Sequence, residues 1–569
     1  MARLRGAPPS PALRRAHDRH RPWIVLPVFA ALLVYAWCYT HLAQWTGLPT
    51  PRELVDALGL VLPRVVDADG NLDAKLLVPH TTRFGNDDER LIVFVALFAC
   101  FVSTYFAPLR HKSLALVAWF FPAFAALYGL HATATLLAAH LAIYLGFHPQ
   151  NPHSARIAGL LGALLIYLVP VSLTPLPRLC AALGAAALAG LLYRRAAATL
   201  AAGGRLVAAL QTALIQACMI TTVACAAREG LTGETWRLPV GLVFFFYQWA
   251  RLMVYQADVR DGEVPRALGL VRYLAIFLSP VGIPNLAHAP YLGQGYSYLE
   301  ERHLVEDKTA LVLSGLRLWG LALLYMVFAE QLVVWFVAGV ERCASVRVYR
   351  FTSELVRAHL AGERPGAATV LLSTLVDQAR IFLIYGGVTH FRVGAWRVMG
   401  YRVETQYDRP WLATNLANLW GRFAFHFREF LVRVFYYPVF LAVCRRRRML
   451  RVFVATMIAT VVGNLVWGHL PPAAIPRMRW QTVTTLLSTW PYFVLLGLGI
   501  ALTQLWLLRR PRTRRPWTRD RWFVLDLVCA YLTLQYFALI HIYIRSQPGS
   551  TLASSTRLLL RGLGVDLER

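Results

Sequence analysis

The chain has 569 residues, of which 57% are hydrophobic and only 15% charged. Apolar runs of about 18 residues or more recur from end to end, which excludes a string of soluble domains and gives an all-α, polytopic transmembrane protein. The formal net charge of +28 would fit nucleic acid in a soluble chain. Here the arginines gather in short loops and tails between apolar runs, where the positive-inside rule accounts for them, so nucleic acid is not an expected partner. The eight cysteines are scattered without a CxxC pair, so neither a disulfide framework nor a metal site is expected.

Residues 1–22 form a basic tail, and the apolar run at about Trp23–Ala43 is too long for a signal-peptide core. It reads as a first span with the N-terminus in the cytoplasm. The loop at about 45–90 carries Asp67, Asp69, Asp73, Asp87, Asp88 and Glu89 and is expected to face outward; its DADGNLD is a solvated turn rather than a calcium loop. A span at about 91–108 returns to Arg110, His111 and Lys112. Runs at about 113–131, 133–148, 157–174, 179–193 and 205–227 follow, with Arg194 and Arg195 as a further cytoplasmic marker. His131 and His140 are nine apart, which is no helical repeat, and are expected to pack. Residues 23–237 thus form a set of N-terminal transmembrane helices, with no internal repeat.

From residue 238 the pattern becomes more distinctive. PVGLVFFFYQWARLMVYQADVRDGEVP leads to a polar turn at Asp258, Asp261, Gly262 and Glu263. A span at about 267–284 is broken by Pro280 and Pro284, and another covers about 309–328. Asp377 and Arg380, three apart inside an apolar run, are expected to pair on one helix face. Asn415, Asn418, Arg422, His426, Glu429 and Arg433 are spaced 3, 4, 4, 3 and 4 apart, which predicts one polar stripe on a continuous helix facing protein or water. Arg445–Arg448 is a basic cluster for the cytoplasmic headgroups, and His469 closes the apolar run that ends in GNLVWGHL. Spans at about 484–508 and 523–544 complete a C-terminal part, residues 471–569.

Four of these segments, in order, resemble the membrane-bound O-acyltransferase (MBOAT) family, in the branch of alginate O-acetylases and the D-alanyl transferase of teichoic acids. They are PVGLVFFFYQ with ADVRDGEV, YGGVTHFRVGAWRVMGYRV, YDRPWLATNLANLWGRFAFHFREFLVRVFYYPVF and GNLVWGHL. The likeness covers roughly 238–470, which it marks as an MBOAT-like core, and it implies about 11–13 membrane segments including re-entrant or interfacial helices. The family's first histidine falls on Ala424, with His426 two positions on; its aspartate falls on His390; its Trp-His-Gly is here Trp467-Gly468-His469.

The resemblance implies transfer of an acyl group from a cytosolic thioester, acyl-CoA or an acyl carrier, to a hydroxyl of an envelope polysaccharide, lipid or similar acceptor outside or in the membrane. His469 would be the base and His426 its partner, because a neutral imidazole can take the hydroxyl proton. Arg422 and Asn464 would act electrostatically, and Trp467 and His390 would contact substrate. No bound cofactor is expected. The expected setting is the cytoplasmic (inner) membrane, among its lipids, with a periplasmic partner protein. The alternative is a catalytically inactive MBOAT-like scaffold or export partner. A conventional ion-coupled transporter would show paired broken helices in two halves, which this sequence lacks.

Overall fold

The computed structural model describes residues 21–39, 87–108, 111–130, 268–281, 307–444, 446–465, 480–509, 522–545 and 549–566, with scattered positions between 42 and 57, 133 and 144, 176 and 180, 251 and 265, and 294 and 302, and at 517 and 547. All regular structure among them is helical. In chain order the helices are α1 (Val25–Tyr39), α2 (Asp87–Phe106), α3 (Lys112–Tyr128), α4 (Leu270–Phe277), α5 (Lys308–Ala344), α6 (Thr352–Leu360), α7 (Ala367–Val398), α8 (Leu416–Phe423), α9 (Phe425–Leu431), α10 (Tyr437–Ala442), α11 (Arg448–Met457), α12 (Trp480–Arg509), α13 (Phe523–Ile540) and α14 (Leu552–Gly562).

Among the described residues, four stretches are long and apolar enough to cross a membrane: α5, α7, Thr489–Arg509 of α12, and α13 with its extension to Tyr543. Shorter apolar helices cover Pro22–Cys38, Arg90–Phe106 and Lys112–Tyr128. The runs expected at 157–174, 179–193 and 205–227 lie outside the described residues, apart from isolated positions. The span expected at about 267–284 is instead the eight-residue α4, which stops at Leu278 as the chain turns extended before Pro280. Its length, about 12 Å, is far short of a bilayer core.

α5 and α7 are the central pair. A Cβ on Gly394 would lie 2.8 Å from the Gly315 carbonyl oxygen and 2.6 Å from Trp319, so only glycine lets the two backbones approach this closely. Trp319 fills the seam beside them: its indole donates to the Phe391 carbonyl at 2.9 Å and stacks on the Phe391 ring. Tyr35 of α1 donates to the Trp319 carbonyl, tying the first helix to the pair. The outer side of α5 leaves Leu324, Phe328, Leu332, Trp335 and Phe336 exposed, a stripe at helical spacing with no protein against it among the described residues. The largest buried apolar cluster runs from Ile24 to Ala459 and joins α1–α3 to the 238–470 part. His140 packs there, between Tyr273 and Phe277; His131 is outside the described residues.

Asp377 and Arg380 form the expected buried ion pair at 3.2 Å. Asp377 also accepts the Thr352 backbone N–H at the start of α6, so the pair fastens the amphipathic α6 to α7.

Candidate functional site

α7 ends in a reversal. Gly400 adopts φ +88°, a conformation glycine takes without strain, and the Tyr401 N–H donates back to the Trp396 carbonyl at 2.9 Å. The chain then runs extended from Arg402 to Asp408 without a partner strand, so its backbone groups are satisfied one at a time. Arg402 N–H donates to the Arg302 carbonyl, and Glu404 N–H to the Tyr298 hydroxyl. The Gln406 carbonyl accepts from Phe425 N–H, and Asp408 N–H donates to the Arg422 carbonyl. This strap therefore docks along the α8–α9 junction.

That junction is a break, and the single continuous helix expected over 415–434 does not form. Asn415 caps α8 by accepting the Asn418 N–H at 2.9 Å. α8 ends at Phe423, Ala424 leaves helical space at φ −144° and ψ 56°, and α9 starts afresh. A π-helical turn over Val432–Tyr436 then rotates the chain again. The six polar side chains consequently have separate fates. Arg422 bonds Asn418 at 2.9 Å and reaches the Asp408 carbonyl and carboxylate. Glu429 pairs with its neighbour Arg428 at the partly exposed surface. Arg433 turns inward to Asp258. Only the Asn418–Arg422 step keeps the stripe's contact. The physical reason is that the Phe425 N–H and the Arg422 carbonyl are bound by the strap, so the α8 hydrogen-bond ladder is not carried through Ala424.

His426, on α9, is wholly buried. Its Nε2 lies 2.9 Å from the Glu404 carbonyl oxygen. A carbonyl only accepts, so Nε2 carries the hydrogen and Nδ1 holds the lone pair of the neutral ring. Nδ1 has no hydrogen-bond partner among the described residues. Burial pushes the imidazole down to about 4, the Glu404 carbonyl opposes that shift, and nearby Arg302 adds to it. The ring is a neutral, oriented base at pH 7. Tyr298 and Phe425 stand edge-on to it.

His390, on α7, is buried between Tyr325 and Tyr407, with Nδ1 likewise without a partner among the described residues. Tyr407 belongs to the strap, so one extended segment contacts both histidines. Burial raises the Tyr407 phenol, whose hydroxyl has no partner among the described residues. Asn464 is buried and its amide donates to the Thr460 carbonyl of its own helix at 2.6 Å. Gly463 beside it packs on Leu431 and Phe435, so this turn abuts α9 and the π-helical turn. Trp467 and His469 lie outside the described residues.

Sequence reasoning passed over the Glu404 carbonyl, Gln406 and Arg392. Arg392 carried a usable signal, being a charged residue inside an apolar run, as Asp377 and Arg380 are. The strap carried none, because isolated backbone contacts leave no periodicity. Among the described residues no three His, Cys, Asp or Glu side chains converge to hold a metal ion. No family model matches the chain, and no curated protein matches it.

Proposed function

We propose that the chain is a membrane-embedded O-acyltransferase of MBOAT type in the cytoplasmic membrane, moving an acyl group from a cytosolic thioester to a hydroxyl of an envelope polysaccharide or lipid. Two lines support the reading. One is the ordered resemblance of four segments between 238 and 470. The other is that three of them meet in space: ADVRDGEV through Asp258–Arg433, and the α7 and α8–α9 segments through the strap.

One observation carries the chemistry: His426 Nε2–H is fixed by the Glu404 carbonyl while Nδ1 keeps its lone pair in a buried setting. In the reaction Nδ1 takes the proton of the acceptor hydroxyl as its oxygen attacks the thioester carbonyl. The C–S bond then breaks and the thiolate leaves with that proton. The Glu404 carbonyl steadies the transient imidazolium, and burial limits hydrolysis of the thioester. His469 is the second histidine of the proposed pair. Membranes containing the chain should transfer labelled acetyl from a thioester to membrane-associated hydroxyl acceptors. Absence of transfer with every donor and acceptor class tried would overturn the reading.

A second reading, a non-catalytic scaffold in envelope polysaccharide export, is favoured by one observation. The residue at the break between α8 and α9, where the family places a histidine, is the buried Ala424.

A further inference from the structure

Arg392 sits six residues before the end of α7 and is 1% exposed. None of its three guanidinium nitrogens has a hydrogen-bond partner among the described residues. Arginine cannot shed its charge inside a protein, and an isolated buried cation costs several kcal/mol. Among the described residues, the acidic side chains of α7 and the strap are already taken: Asp377 by Arg380, Glu404 by Arg302 and Asp408 by Arg422. The dipole of α7 offers little, because its effect fades beyond the last turn. Among the described residues Arg392 is a buried cation without a hydrogen-bonded partner.

Its surroundings are unsatisfied as well. Tyr385, two turns earlier on α7 and within electrostatic range of Arg392, shares a hydrogen bond with the Gln406 amide nitrogen at 2.9 Å. The Gln406 amide oxygen is left without a partner among the described residues. A guanidinium with all its donors open is a planar fork that grips one oxyanion.

We propose that Arg392 binds the oxyanion of a phosphate- or carboxylate-bearing ligand inside the protein. The nearby end of α7 is rich in cations. Arg397, Arg402, Arg302 and the buried Lys112 gather about the C-terminal end of α7, roughly 9 Å along the helix from Arg392. Their summed field favours an anion at Arg392. The same chemistry is offered by an anionic lipid headgroup and by a soluble phosphorylated thioester, and binding can distinguish them. The site does not depend on acyl transfer.

The test is thermal unfolding of the full chain in phosphatidylcholine nanodiscs, with phosphatidylglycerol added to the lipid or with coenzyme A added to the solution. One of the two probes should raise the unfolding midpoint of the wild type by several degrees. Arg392→Met should unfold no lower than the wild type without probe, since it removes an uncompensated charge, and should lose the shift entirely. Arg392→Lys keeps the charge but not the fork; it should bind at least tenfold more weakly, and it decides the matter if the methionine variant does not fold. A shift with phosphatidylglycerol alone makes the ligand a lipid, and a shift with coenzyme A alone makes it soluble. No shift with either probe, or a shift that survives in the variants, overturns the proposal.

Discussion

Arg433 and Asp258 lie 175 residues apart in the chain and meet as an ion pair, with the carboxylate buried and the guanidinium about one-third exposed. The π-helical turn over Val432–Tyr436 turns Arg433 toward the 258 segment. Asp258 also accepts the Tyr296 backbone N–H, so its carboxylate clasps three parts of the chain. Burial raises this carboxyl while Arg433, the Tyr296 N–H and Arg251 oppose the shift.

Removing the cation should therefore strand a buried charge. Arg433→Met is expected to lower stability by about 2–3 kcal/mol, at the low end for a buried pair because the arginine is partly exposed. The double variant Asp258→Asn/Arg433→Met should recover part of that loss. A double-mutant cycle by denaturation in detergent measures the coupling, and a purely additive result would contradict the clasp.

The α5–α7 seam gives a second expectation. In Gly394→Val even the first added carbon would meet the Gly315 carbonyl and the Trp319 ring, neither of which can retreat without parting the helices. The loss should be about 2–3 kcal/mol, as for other overpacked cores. Gly320→Val, on the same helix as Gly315 but with open space around its Cβ position, should lose much less. The difference in unfolding midpoint between the two variants is the measurement.

The parts legible in the sequence were those with a helical period. Asp377 and Arg380 pair as their spacing predicts, and α7 and α13 lie where their apolar runs do. The polar stripe was misread at Ala424 because a period of 3.6 continues on paper through a break that only the distant strap creates. Glu404 enters the site through its backbone carbonyl, which no side-chain pattern announces. Arg392 differs: its charge was visible in the sequence, but its lack of a counterion became apparent only once the neighbouring carboxylates were seen to be occupied.

His426 should also make the folded state acid-sensitive. Its folded value, about 4, lies below the ordinary 6.5 of an exposed histidine. Between those values the unfolded chain binds the extra proton and the folded one does not, so stability is full above about 6.5 and is lost progressively as pH falls toward 4. In His426→Gln the amide can still donate to Glu404 but does not titrate. The midpoint of the wild type should fall further than that of the variant between pH 7 and pH 4.5. Parallel curves would show that His426 does not take part.

The most direct measurement is acyl transfer by His426→Gln in membranes at pH 7, beside the wild type at matched protein levels. The glutamine amide reaches the Nε2 position and keeps a donor for the Glu404 carbonyl while removing the lone pair at Nδ1, so it separates chemistry from folding. The account predicts a loss of at least about a hundredfold in turnover, the usual scale of a missing general base, with unchanged insertion and amount. Wild-type turnover in the variant would contradict it.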